Sequence, residues 1–395
     1  MYIAISDITQ LKFVFYMRFL PLSLLLICFS CTEKHTTNKS LTFYIGTYTQ
    51  HEGHVDGHAD GIYKMTFDPE TLELSITDTI KGMVNPSFLA ISDNDSILYA
   101  VNEISPGGET KGIFEAYQIF SGNFGNRLFS CSTEAYAPCQ IALNGDGSVA
   151  VVCNYVGGVV SVYNFTTQDS IQSKFIELPS VPRASPRQES SHPHSAQFGL
   201  NGKQLYVADL GTDRVMVYDV KEGGGELAPA SPPFVEFPEA FGPRHMTLSA
   251  DGKILYVLGE LSHEVAVLDI AENGELTQKQ LISTLPANEK DTPNTTADIH
   301  LSTDGTRLFS SNRGHNSIAC FDVMQDGTLK NAGFVSSDGL VPRNFCLTRD
   351  GNWMLVANQN SDNVSLFDIR GKGLPVLVKK IQVSTPVCVV ETSGR

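Results

Sequence analysis

Three prolines in this sequence are each followed by a side chain able to move a proton or hold an anion: His194 after Pro193, Arg244 after Pro243 and Arg343 after Pro342. Seventeen residues after a start of the same kind stand Glu103, Tyr155, Glu260, Arg313 and Gln359. A histidine and a carboxylate can relay a proton between water and an acyl carbon. Guanidinium groups hold carboxylates or phosphates and stabilise the oxyanion that such an attack creates. The residues are far apart in the chain, so this chemistry exists only if the fold brings both sets of positions together. The alternative is salt bridging between neighbouring structural units.

The elements that would do so recur. Six segments, starting at Pro86, Pro138, Pro193, Pro243, Thr296 and Pro342, share one template. Each has a short apolar-alternating strand, a turn of the Asp-Gly type and a second strand of the Leu-Tyr-Val kind. Their starts lie 52, 55, 50, 53 and 46 residues apart. A third alternating strand follows each, as in the run from Glu264 to Ile270, and a fourth comes after a Gly-containing turn. Four short strands in each repeat describe a propeller blade, which cannot bury both faces alone and so stacks in a ring. Pro386 opens a seventh first strand with nothing after it, while runs from Phe43, Ile62 and Leu72 supply three strands lacking a first. The expected fold is therefore all-β: a seven-bladed β-propeller closed by a clasp blade built from both termini, one domain over 41–395. In such a ring the entry of each first strand and the exit of each second open on the same end of the central channel. The two sets of reactive residues fall there.

Hydrophobic residues make up 42% of the 395 and charged ones 18%, a globular balance. A net charge of −15 repels phosphate backbones and anionic lipid, which excludes nucleic-acid partners. Small anions remain possible ligands where local arginines outweigh that field. Residues 1–30 read as a signal segment starting at Met17, with Arg18 ahead of an apolar run too short to span a bilayer. The stretch Cys28-Phe29-Ser30-Cys31 resembles a bacterial lipobox. The expectation is an exported lipoprotein of the periplasm or outer membrane, lipidated at Cys31, tethered by 31–40 and touching membrane only through that anchor. A cleaved soluble signal, or a cytoplasmic protein with a misassigned start, are the alternatives. The body is expected to be a monomer.

Other clusters read as structural. Asn102, Asn154, Asn312 and Asn358 recur one residue before the second-strand exits, where an amide caps its own turn; a calcium ring is the sharper alternative. His51, His54 and His58 lie among Glu52, Asp56 and Asp60 in a Gly-rich loop, read as a solvated rim or lid in preference to a metal site. The stretch from Leu178 to His194, rich in Pro and Arg, is expected to overhang His194. Cys131, Cys139, Cys153, Cys320, Cys346 and Cys388 show no CxxC spacing, so zinc is not expected and buried thiols are the default. There is no GxSxG elbow, P-loop, HExxH or dinucleotide fingerprint, which disfavours serine hydrolases and nucleotide enzymes.

Taken together, the runs starting at Tyr44 (YIGTYT), His192 (HPHSAQF), Asp209 (DLGTDRVMVYD), Gly242 (GPRHMTLS), Gly259 (GEL), Ala297 (ADIHLSTDG), Ser311 (SNRGHNSIACF) and Pro342 (PRNF) resemble the seven-bladed lactonase family. That family groups propeller-type 6-phosphogluconolactonases with 3-carboxy-cis,cis-muconate cyclases. The likeness runs from about Leu41 to Glu391. It implies a catalytic set of His194, Arg244, Glu260 and Arg313; Arg343, Glu103, Tyr155 and Gln359, from the same repeat slots, are expected to bind the substrate. Gln140 departs from the family pattern, where a histidine is common. The implied activity is metal- and cofactor-independent hydrolysis of a small sugar lactone, with His194 or Glu260 as base and Arg244 and Arg313 holding the anionic group. A lactonising cyclase and a non-catalytic exported binding propeller are the alternatives.

Overall fold

A computed structural model describes residues 40–392 except 54, 108–109, 168–169, 184 and 222. The signal segment, Cys31, residues 31–39 of the tether and His54 lie outside the described residues. Those described are almost wholly strand, with single 3₁₀ turns at Leu210–Thr212 and Gln359–Ser361. They form seven four-stranded antiparallel sheets and a small hairpin pairing His51–Glu52 with Val55–Asp56.

Six sheets are continuous in sequence. Their innermost strands are Pro86–Ile91, Tyr136–Leu143, Pro193–Phe198, Pro243–Leu248, Thr295–Leu301 and Pro342–Leu347, which we number blades 1 to 6. The seventh takes its inner strand, Pro386–Glu391, from the C-terminal side and Leu41–Thr47, Gly61–Asp68 and Glu73–Lys81 from the N-terminal side. The clasp is thus built as the repeat arithmetic requires.

The turn between first and second strands shows why the template repeats. In blade 4, Ser249 Oγ bonds Asp251 Oδ1 at 2.7 Å, and Gly252 at φ +70° donates to Ser249 O at 2.9 Å. Glycine takes this left-handed position without steric cost. In blade 1 Asp95 holds it at φ +54°, one of the few side chains that tolerate it.

Packing closes the ring. Seven apolar clusters lie one at each contact between successive blades. The closing contact, between blade 6 and the clasp, joins Trp353 and Leu355 to Phe43, Phe67 and Val389. Trp353 meets Phe67 edge-on, with ring centroids 5.0 Å apart.

The ladder between first and second strands slips once in every blade. Pro193 pairs with Asp209 but Ser195 with Ala208, so His194 is an extra residue. The same one-residue excess falls at Ser87, Cys139, Arg343 and Val387, and within Arg244–His245 and Ala297–Asp298. A bulge frees the extra residue from the ladder and re-aims its side chain.

Removing residues 386–395 strips the inner strand from the clasp and leaves the ladder edge of Leu41–Thr47 unpaired. The expected result is a fall in the calorimetric melting midpoint on the order of 10 °C or more, with broadened unfolding. An unchanged midpoint would show that the clasp does not close the ring.

Candidate active site

A cavity of about 670 Å³ opens at the end of the channel where the bulges lie. Seven of the eight predicted residues line it: Glu103, Tyr155, His194, Glu260, Arg313, Arg343 and Gln359. The eighth, Arg244, sits beneath in a narrow well that also contacts Ser87, Glu103, Cys139, His245 and Arg343.

Glu260 is the centre of this site. Its Oε1 accepts from Arg187 NH2 at 3.0 Å. Its Oε2 accepts from Arg244 Nε at 2.9 Å and lies 3.1 Å from Arg313 NH2. Burial would favour the neutral acid, but attraction to Arg313, Arg244 and Arg187 outweighs it and brings the carboxyl down to about 2. Glu260 is therefore a poor proton acceptor. Arg244 also donates to Ala297 O, and Arg313 NH2 to Thr296 O at 2.7 Å. Burial and the neighbouring cations draw Arg313 down to about 9, so it is still charged at neutral pH. Both arginines thus hold Glu260; Arg313 also lines the cavity, while Arg244 lies in the well beneath it.

His194, from the neighbouring blade 3, stands beside Glu260. Its Nε2 is 3.9 Å from Glu260 Oε2, and its Nδ1 is 3.7 Å from Cys139 Sγ. Burial first, then repulsion from Arg244, His245 and Arg343, pushes it well below its usual value, so it is neutral at neutral pH. The Cys139 thiol is pushed up by burial and by Glu103. It stays protonated, donating to His194 O at 3.4 Å.

Arg343 differs from the other arginines. Its guanidinium lies over the Tyr48 ring at 5.3 Å and makes no hydrogen bond to any described residue. It lines both the cavity and the well, within the attraction of Glu103 and Glu260. Glu103, on the same side, accepts from Tyr48 Oη at 2.9 Å. Gln359 Nε2 bonds Asn360 Oδ1 at 2.9 Å. Four guanidinium groups against two carboxylates make the cavity cationic in a protein of net charge −15.

Two features escaped the sequence reading. Arg187 comes from the strap between blades 2 and 3 and donates to Tyr155 Oη at 2.9 Å as well as to Glu260. The strap was expected to overhang His194; through Arg187 it reaches Tyr155 and Glu260. Below the site, Asp298 gathers His245 Nδ1 (2.7 Å), His300 Nε2 (2.9 Å), Asn344 Nδ2 (2.5 Å) and Phe345 N (3.2 Å). Asn344 Oδ1 in turn accepts from Val389 N at 2.7 Å. Burial alone would raise Asp298; attraction to His300 and the bonds from both histidines hold it well below the usual carboxylate range. This network ties the inner strands of blades 4, 5, 6 and the clasp, and it fixes the residues next to Arg244 and Arg343.

Asn154, Asn312 and Asn358 each donate to a serine of the third strand; Asn154 also bonds Val159 O in its own turn, whereas Asn312 and Asn358 bond Thr284 O and Ser337 O of the preceding blade connection. His51 Nδ1 lies 3.3 Å from Asp56, and His58 Nε2 lies 3.1 Å from Asp362. Among the described residues none of that loop lines the cavity, and no three metal-binding side chains converge. Also among them, no cysteine is bonded to another.

Replacing Glu260 by Gln leaves buried Arg244 without its counterion, an expected loss of ~3–5 kcal/mol in urea unfolding near pH 7. Ionised Glu260 stabilises the fold only while it is deprotonated. The gap between wild type and variant should therefore shrink as pH falls from 4.5 towards about 2. A gap independent of pH would show that Glu260 is not held as the anion.

Comparisons with known proteins bear on the fold and the family. Residues 42–391 match the family model described as lactonase, 7-bladed beta-propeller. The 6-phosphogluconolactonase of Bacillus subtilis (strain 168) is 31% identical over 353 residues, 88% of this chain and 97% of that one. An uncharacterised protein of Lactococcus lactis is 34% identical over 80% of this chain and 90% of its own length. The solved structure of a periplasmic gluconolactonase from Pseudomonas aeruginosa superimposes with a TM-score of 0.82 at 29% identity, covering 90% of this chain and all of that one.

Proposed function

The chain belongs to the seven-bladed β-propeller lactonase family, and from that premise we propose that it hydrolyses a small sugar lactone bearing an anionic group, as 6-phosphogluconolactonases do, without a metal ion. The observation that carries this reading is a cationic cavity in an acidic protein, lined by one arginine, Arg343, that makes no hydrogen bond to any described residue. An anion enters such a site against the overall field only because the local charge reverses it.

The residues divide the work. The lactone carbonyl oxygen meets Arg343, which stabilises the negative charge developing there. Neutral His194 takes a proton from water as the water oxygen adds to the carbonyl carbon. Collapse of the tetrahedral intermediate breaks the ring C–O bond, and the ring oxygen recovers the proton from His194. The product is a hydroxy acid, whose ionisation releases one proton to solvent. Glu260 remains an anion throughout and steadies the imidazolium that forms at His194. Glu103, Tyr155 and Gln359 border the sugar. A strained ester needs no more activation than this, so Lewis-acid help is not required.

We also propose that the chain is exported behind its signal segment and anchored through Cys31, a reading supported by the Arg18-to-Cys31 pattern alone.

His194→Gln is expected to lower kcat by ~10²–10⁴ with little change in KM, measured as proton release from 6-phosphogluconolactone and glucono-δ-lactone. Chelator should leave the wild-type rate unaltered. A variant with full kcat would remove His194 from the chemistry, and loss of activity in chelator would overturn metal independence.

A further inference from the structure

Arg187 is the arginine of the site that sits at its mouth. Its side chain is 48% exposed, against 3% for Arg244 and 14% for Arg313. It is nevertheless held at a set place. Arg183 N donates to Gln188 O at 2.8 Å, closing the turn whose apex carries Arg187. Gln188 is fully buried and donates to Leu210 O at 2.8 Å and Asp213 Oδ1 at 2.7 Å. Arg183 NH2 donates to Thr212 O at 2.8 Å, and Ser191 Oγ to Asp209 Oδ2 at 2.8 Å. The backbone on both sides of Arg187 is thus fastened to blade 3, while its side chain reaches across solvent to Tyr155 and Glu260.

The division of Glu260's two oxygens gives this reach a meaning. Oε2 takes Arg244 and Arg313 and faces His194, whereas Oε1 is bonded by Arg187 alone among the described residues. Arg187 therefore neutralises part of the charge that would otherwise support a proton on His194. An exposed guanidinium exchanges one anion for another readily, and a phosphate offers it a bidentate partner that one carboxylate oxygen does not.

Resting on the lactonase reading, we propose that Arg187 selects lactones with an anionic tail, and that in binding the tail it leaves Glu260, whose charge then supports His194 as base. Recognition at the mouth and proton acceptance at the floor become one event. A neutral lactone lacks the tail, leaves Arg187 on Glu260 and meets a weaker base. The groups that face the pair are Arg244 from blade 4, Arg313 from blade 5, and Tyr155, Cys139, His245 and Arg343 around His194. None of them is exposed as Arg187 is, so Arg187 is the one whose contact the substrate can replace.

The test uses the full chain and its Arg187→Gln and Arg187→Lys variants, assayed on 6-phosphogluconolactone and on glucono-δ-lactone. Arg187→Gln should raise KM for the phosphorylated lactone ~10-fold or more. It should also raise kcat for the neutral one a few-fold (about 2- to 5-fold), because Glu260 is now permanently released. The acid limb of its kcat/KM profile should move to higher pH, since His194 gains support for its proton. Arg187→Lys should restore part of the preference for the phosphorylated lactone. Equal losses on both lactones would mean that Arg187 only fastens the strap, and would overturn the proposal while leaving the hydrolase reading intact. An unaltered KM for the phosphorylated lactone would overturn it too. A wild-type protein silent on both lactones would overturn the hydrolase reading, and the proposal with it.

Discussion

One extra residue at the entry of every inner strand is the constraint on which this molecule depends. The strand that lines the channel is always one residue longer than its partner can pair, so the surplus residue leaves the ladder and turns its side chain inward. A ring of seven such distortions, single-residue in five blades and spread over two residues in blades 4 and 5, places side chains at the channel in a rigid frame. Ser87 and Val387 occupy two of them; His194 and Arg343, with side chains able to take a proton or hold an anion, occupy others. Symmetry belongs to the backbone and asymmetry to the side chains.

Two buried carboxylates then organise what the bulges present. Glu260 collects arginines in the upper layer, and Asp298 collects two histidines and an asparagine in the lower. The layers are joined through the chain itself: Arg244 is followed by His245, and Arg343 by Asn344. A shift in the lower layer must therefore move the guanidinium groups above it. Neither carboxylate could stay ionised in an apolar interior without these partners. The strongly cationic cavity and the overall acidity of the protein coexist because the arginines are concentrated where the blades converge.

Much of this was legible in the sequence because the repeat supplies an internal ruler. Seven blades, the composition of the clasp and the convergence of eight named residues all follow from counting positions after a start. The ruler fails where the chain leaves the repeat. Arg187 lies in a strap with no counterpart in other blades, and only the density of Pro and Arg there hinted at a role. Asp298 and His245 lie one residue past the counted slot, because in blades 4 and 5 the slip in pairing covers two residues and not one. The partners of Arg244 and Arg313 could not be read either. Whether an arginine faces a ligand or a carboxylate depends on side-chain reach across blades, and spacing does not record that. The start of the second blade's inner strand, Tyr136 where the template begins at Pro138, shows the same limit on a smaller scale.

The clasp carries a mechanical consequence. Leu41–Thr47 runs antiparallel to Pro386–Glu391, with Phe43 opposite Glu391, so both ends of the ring leave from the same end of one strand pair. Tension applied between those ends would fall on the ladder bonds one after another, like a zipper, and not on all of them at once as in shear. The seam that closes the ring is thus loaded one bond at a time under a pull on both ends.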